Sequence, residues 1–272
     1  MPDSLPIPGA DLDPARMPGH WLLARLGKRV LRPGGRELTA QMLDALAIGP
    51  RDRVVELAPG LGTTTRLVLA RHPAAYTGVE RDRAAADHVR RLSTGPDIDC
   101  RVGDAEDTGL DDDSATVVFG EAMLTMQPDP AKTRIVQEAA RVLRPGGRYG
   151  IHELSLVPDD IDADTVARIR TELSQTIRIG ARPLTVPEWR ALLESAGLTV
   201  VHEARAPMRL LEPSRLLRDE GVRGLARILI RVASDSVARR RVLEMRALFR
   251  RYRHHLGAIS LIAEVPAEQA TP

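Results

Sequence analysis

Val54-Val-Glu-Leu-Ala-Pro-Gly-Leu-Gly-Thr63 sets a short apolar run against a turn rich in Pro and Gly, and that turn against the start of a helical pattern. Strand, turn and helix in immediate succession form the opening unit of a doubly wound α/β domain. Gly60 and Gly62 let the backbone come close to a ligand. The helix opening at Thr63 offers unpaired N–H groups and positive dipole density to an anionic group. Tight turns of this kind also occur in α/β proteins that bind nothing there, so the rest of the chain has to support the reading.

Outward from this point the alternation repeats. Short apolar runs predict strands at 53–57, 75–79, 98–102, 116–119 and 148–154, with helices over 64–71, 84–92 and 131–143 between them. Near-continuous apolar strands separated by helices predict a parallel sheet covered on both faces. Helices follow at 163–179 and 187–196, then strands at 198–201 and 259–265, giving about seven strands in all. Upstream, two helices are predicted at 20–31 and 37–47, closed by Pro33-Gly34-Gly35 and Gly49-Pro50. The string Val-Leu-Arg-Pro-Gly-Gly-Arg occurs at both 30–36 and 142–148. Because the flanks differ, it reads as one solution to stopping a helix, with a forced exit at Pro and a positive-φ glycine, and not as a duplication. The resulting plan is a mobile Pro- and Asp-rich arm at 1–19 and N-terminal lid helices at 20–50. A Rossmann-like domain at 51–206 plus 256–266 follows, with a helical insertion at 207–255.

Composition narrows the class. Among 272 residues there is one cysteine, Cys100, which excludes a disulfide framework, and no apolar leader or run long enough to span a bilayer. These features predict a cytoplasmic protein. The net charge of +2 conceals a partition: between Arg205 and His255 stand fourteen Arg against five acids. His254-His255 has no His or Glu companion at ligand spacing, so no metal is predicted.

Two acidic positions extend the first motif. Strand two ends Gly78-Val-Glu80-Arg81, placing a carboxylate where doubly wound domains recognise ribose hydroxyls, twenty residues after Gly60. Strand three is followed by Gly103-Asp104-Ala105-Glu106, suited to accept from an exocyclic amine; a surface turn also favours Gly-Asp. Together with Glu56-Leu-Ala-Pro-Gly60-Leu-Gly62 and Arg141-Val-Leu-Arg-Pro-Gly-Gly147, these motifs over roughly 53–154 resemble the class I S-adenosylmethionine-dependent methyltransferases. The similarity is to their small-molecule branch, which includes quinone-biosynthesis enzymes. The resemblance implies an antiparallel last strand and S-adenosyl-L-methionine as donor, with S-adenosyl-L-homocysteine as product. It also implies Glu56 near the cofactor's amino group, Gly60, Gly62 and Thr63 around its methionyl part, and Glu80 on the ribose. Asp104 and the Ala105 amide would read adenine, and Arg81 and Glu121 complete the cofactor set. Ala58 departs from the family, which usually has a glycine there; the methyl is tolerated if φ stays negative.

A methyl on a cationic sulfur is already electrophilic, so the protein's task is alignment and exclusion of water, with a base only for acceptors that carry a proton. Glu121 and Met123, after strand four, and His152 with Glu153, in strand five, lie near the acceptor end. Histidine titrates closest to neutrality, which makes His152 the candidate base beside Glu153. Adjacent strand residues point to opposite faces, and either side chain also suits structural hydrogen bonds.

Arg223, Arg227 and Arg231 form a charged stripe on the insertion. The stripe suits a solvated lid face, steering of an anionic small-molecule acceptor, or contact with an anionic membrane surface. Nucleic acid is disfavoured, because strand four exits as Gly120-Glu-Ala-Met123 without a base-holding motif and stacking aromatics are few. Two other functions share part of the pattern. A nicotinamide-dependent dehydrogenase lacks its third loop glycine here, Thr65 standing in that place. A non-catalytic module that only binds the nucleoside fits the residues as they stand.

Overall fold

The strand at Arg53–Leu57 (β1) buries Val54, Val55 and Leu57 on both of its faces, as a central parallel strand requires. In the computed structural model, which describes residues 13–92 and 95–267, it is preceded by α1 (Gly19–Arg25) and α2 (Gly35–Ala45). Then come α3 (Thr63–Leu69), β2 (Ala75–Glu80), α4 (Arg83–Arg90), β3 (Ile98–Val102) and β4 (Ala115–Glu121). The chain continues through α5 (Asp129–Val142), β5 (Leu143–Leu156), α6 (Ala163–Ile177), the two-residue β6 (Leu184–Thr185) and α7 (Val186–Glu194). It closes with β7 (Thr199–Pro207), α8 (Pro213–Ser234), α9 (Ser236–Arg251) and β8 (Leu256–Glu264).

The sheet runs β3-β2-β1-β4-β5-β8-β7, with β6 beside β5. β1 to β5 are parallel and β8 is antiparallel to both neighbours, as the resemblance implied. Strand order reverses between β1 and β4, which opens a crevice at their carboxyl ends. Local signals agree with this plan: Asp82 caps α4 by accepting from Ala85 N at 2.9 Å, and Thr185 with Glu188 forms a capping box at α7. Two apolar clusters pack the sheet's faces. A third joins Leu22 of α1, Leu173 of α6 and Met245 and Phe249 of α9 above the carboxyl edge of β5.

Several expectations are corrected. Residues 13–19 are not a loose arm: Met17 is buried and Arg241 donates to the carbonyls of Pro14 and Met17, at 2.8 and 2.7 Å. The first part of the predicted arm, 1–12, lies outside the described residues. The helix predicted to reach Leu31 stops at Arg25, because Gly27 turns with φ 103° and Lys28 is drawn into a buried cluster with Asp219 and Glu220, each 3.6 Å away. The repeated Val-Leu-Arg-Pro-Gly-Gly-Arg string takes two shapes: residues 30–36 form a loop that starts α2, and 142–148 lead α5 directly into β5. Positive φ occurs in both copies, at Gly34 and Gly146. The insertion is helical as predicted but breaks at Gly221 (φ 70°, ψ 175°). No helix among the described residues is long and apolar enough to cross a membrane.

Candidate active site

The crevice between β1 and β4 opens into a cavity of about 750 Å³. One half is polar and belongs to the sheet edge. Glu56 is buried, its Oε2 accepting from Thr65 Oγ1 at 2.7 Å and from the Tyr76 hydroxyl at 2.6 Å. Burial pushes its carboxyl up to about 7 against the pull of those two donors. Glu80, at the end of β2, accepts from Gly60 N at 3.0 Å and Asp82 N at 2.9 Å, and burial raises its carboxyl despite these bonds. Arg81, Asp104, Ala105, Gly60 and Thr63 line the same half, so the sequence brought most of the predicted cofactor set to one place.

Glu121, at the end of β4, is held by four side chains. Its Oε1 accepts from Thr39 Oγ1 at 2.6 Å and meets His152 Nδ1 at 2.8 Å; its Oε2 accepts from Thr64 and lies 3.2 Å from Arg32 Nη1. Burial opposes ionisation, yet the Arg32 cation, the His152 ring and Thr39 together hold the carboxyl down at about 2. Arg32 itself is buried and lines the cavity, and its Nε and Nη2 have no hydrogen-bond partner among the described residues. A buried guanidinium with two idle donors on a cavity wall is a cradle for an anion.

Three predicted residues sit elsewhere. Gly62 is not on the cavity; a Cβ there would come within 2.3 Å of Leu92 Cδ1, so its bareness serves the packing of α3 on α4. His152 is fully buried behind the wall, its ring nitrogens facing Glu121 and the Pro33 carbonyl. Both ring nitrogens are engaged inside the protein and His152 does not line the cavity, so the ring is not placed to meet an acceptor. Glu153 is equally buried. It accepts from the backbone N–H groups of Met123, Leu124 and Thr125 at 2.8 to 3.0 Å and from Thr125 Oγ1 at 2.6 Å, fixing the turn that carries Met123 to the cavity. The Ala58 expectation also fails, since its φ is +54°. The turn demands the left-handed conformation, and alanine adopts it under strain.

The other half of the cavity is apolar. Trp21, Leu23, Leu173, Ile177, Met245 and Phe249 face it from α1, α6 and α9, with Met208 and Leu210 from the segment after β7. His20 is the titratable group there; it lies against Trp21, ring centroids 4.7 Å apart, and burial drives its imidazole down to about 4. Sequence reasoning missed His20, Arg32 and the contribution of α6. Arg32 stood in the repeated string, where it read only as part of a helix stop.

A family model described as a methyltransferase domain matches residues 54–147, from β1 through the start of β5. The chain is 30% identical over 250 residues to an uncharacterized protein of Haemophilus influenzae, covering 90% of this chain and 97% of that one. It is 26% identical over 165 residues to the 27-O-demethylrifamycin SV methyltransferase of Amycolatopsis mediterranei, spanning 59% of each. This chain belongs to the class I S-adenosylmethionine-dependent methyltransferases. Its donor is S-adenosylmethionine, and the dehydrogenase and binding-only readings fall away. Among solved structures, the geranyl diphosphate C-methyltransferase of Streptomyces coelicolor, in complex with geranyl diphosphate and S-adenosyl-L-homocysteine, shares the fold. Its TM-score is 0.61 at 17% identity, covering 84% of this chain and 78% of that one.

Proposed function

We propose that this methyltransferase moves the methyl group to a hydroxyl oxygen of an apolar small molecule by in-line displacement. The observation that carries this reading is the division of one cavity into a charged half at the sheet edge and an apolar half whose basic group is a neutral imidazole. Bound in the charged half, S-adenosylmethionine would supply an electrophilic methyl on a sulfonium centre. Glu56 and Glu121 suit its ammonium, Arg32 its carboxylate, Glu80 and Arg81 the ribose side, and Asp104 with Ala105 the adenine. The 27-O-demethylrifamycin relative, by its name, supports an oxygen acceptor.

On this reading the bound donor would supply its methyl to the acceptor oxygen's lone pair, keeping the C–S bonding pair on sulfur. His20 receives the hydroxyl proton. A base with a pKa of about 4 is weak toward an alcohol but ample toward the protonated ether that methyl transfer creates. His152 and Glu153 act as positioning residues, the first through Glu121 and the loop at Pro33, the second through the turn at Met123. The helices at 20–50 and 207–255, joined by α6, close the apolar half as a lid. Lys28, Asp219 and Glu220 tie its two pieces together, with Glu220 accepting from Arg29 N and Val30 N at 2.9 and 3.0 Å. Arg223, Arg227 and Arg231 do not line the cavity, so they supply no anion site for the acceptor.

The test is turnover with a donor labelled in its methyl group and a panel of apolar alcohols, phenols, amines and anionic acids. Labelled ethers are the expected products. Methylated amines or acids in their place would overturn the oxygen assignment.

A further inference from the structure

The second half of α8, after the break at Gly221, is apolar on two faces. One face is used by the fold: Ile228 is buried beside Gly27, and Val232 packs on the third apolar cluster. The other is not. Val222, Leu229 and Ile230 are 74%, 56% and 69% exposed, and at 100° per residue they fall with Ala226 and Ala233 on one solvent-facing strip. Such a strip adds nothing to the packing of the protein.

Arginines flank it. Arg223, Arg227 and Arg231 follow the strip along one side, and between Glu220 and Asp235 there is no acid. Arg231 donates to the Arg25 carbonyl at 3.0 Å, and Arg227 runs beside Gly27. That places this cationic border next to exposed Arg25 and next to Arg29, which lines the cavity. Glu220 is held against Lys28 and the Arg29 and Val30 amides, and Asp235 accepts from Val237 N and Ala238 N at the start of α9, so each flanking acid is engaged elsewhere.

We infer that the outer face of residues 222–234 docks on an anionic lipid bilayer surface, with Val222, Leu229 and Ile230 in the acyl boundary and the arginines among the headgroups. Charge decides between occupants. A second copy of the chain, pairing this strip with itself about a two-fold axis, would set arginine borders against one another. Nucleic acid would satisfy the arginines and leave the aliphatic strip in water. An anionic bilayer satisfies both, as interfacial amphipathic helices do.

Sedimentation of the full-length protein with vesicles of phosphatidylglycerol and phosphatidylcholine, against phosphatidylcholine alone, tests this. Binding is expected to be about tenfold stronger to the anionic vesicles and to fall severalfold at about 0.5 M salt. Leu229→Glu with Ile230→Glu is expected to reduce binding about tenfold, and Arg223→Gln severalfold, because both the strip and its charges contribute. These positions are exposed, so S-adenosylhomocysteine affinity and the far-ultraviolet spectrum serve as controls for folding and are expected to stay unchanged. Wild-type protein that ignores anionic vesicles, or binding that survives the double substitution, would overturn the inference. So would a concentration-dependent doubling of mass that the double substitution abolishes, since a second copy would then be the occupant.

Discussion

Arg32→Met removes from the cavity wall a buried guanidinium with two idle donors. If Nε and Nη2 hold the carboxylate of the cofactor's methionyl part, their loss costs about 1.5 to 3 kcal/mol, the range for hydrogen bonds to a charged group. That is a rise of roughly ten- to 150-fold in the dissociation constant for S-adenosylhomocysteine, at about 1.4 kcal/mol per tenfold. The comparison ligand is methylthioadenosine, which keeps the nucleoside and sulfur but has neither carboxylate nor ammonium. Its affinity should change by less than about threefold, because the ion pair of Arg32 is with Glu121 and not with Glu80 or Asp104. Arg32→Lys keeps the charge beside Glu121 but loses the planar fork, and should fall between wild type and Arg32→Met. Isothermal calorimetry of the three proteins with both ligands reads this directly. Equal losses for the two ligands would place Arg32 in the fold or at the nucleoside, and an unchanged homocysteine complex would refute the anion cradle.

Glu56 predicts a pH effect. Its free carboxyl titrates near 7, and an ammonium beside it in the complex favours ionisation, so affinity should fall toward about tenfold per pH unit below 7 and level off above. Calorimetry in buffers of different ionisation heat should show proton release near pH 7, and Glu56→Gln should abolish it. Ala58→Gly relieves a left-handed alanine and should stabilise the protein by about 1 kcal/mol, or about 2 °C in thermal midpoint for a chain of this size. A lower midpoint would show that φ +54° costs nothing there. Glu153→Ala leaves three backbone donors of a buried turn unpaired and should cost about 3 kcal/mol or more in denaturant unfolding. At saturating donor it should lower turnover without changing the shape of the pH profile; a lost titration would make Glu153 a proton carrier. His20→Phe should reduce turnover while leaving the homocysteine dissociation constant within about twofold, since His20 lines the apolar half.

Much of this was legible in the chain. Strands with buried neighbours on both faces, the glycyl turn at 58–62 and the acids at 56, 80 and 104 carry their meaning in local order, because sheet topology alone brings carboxyl ends of parallel strands to one edge. The lid was legible as helices but not as a surface. Which helix turns face the cavity depends on how α1, α6 and α9 pack, and that packing is set by contacts far apart in sequence, such as Arg241 with the carbonyl of Met17. Adjacent strand residues His152 and Glu153 misled for a related reason. Their chemistry suits catalysis, but β5 is central and covered on both sides, so both side chains end inside the wall. Arg32 and Arg144 occupy the same place in identical strings, and only the first is buried, so the string itself held no sign of the difference.

The proposed function requires the β1–β4 crevice to hold the donor in one orientation. A crystal structure with S-adenosylhomocysteine bears on it most directly. Adenine is expected beside Asp104 and Ala105, ribose hydroxyls on Glu80, and the carboxylate on Arg32 with sulfur turned toward the apolar half. Density for the ligand in the reverse direction, or in another cleft with the crevice filled by solvent, would contradict it.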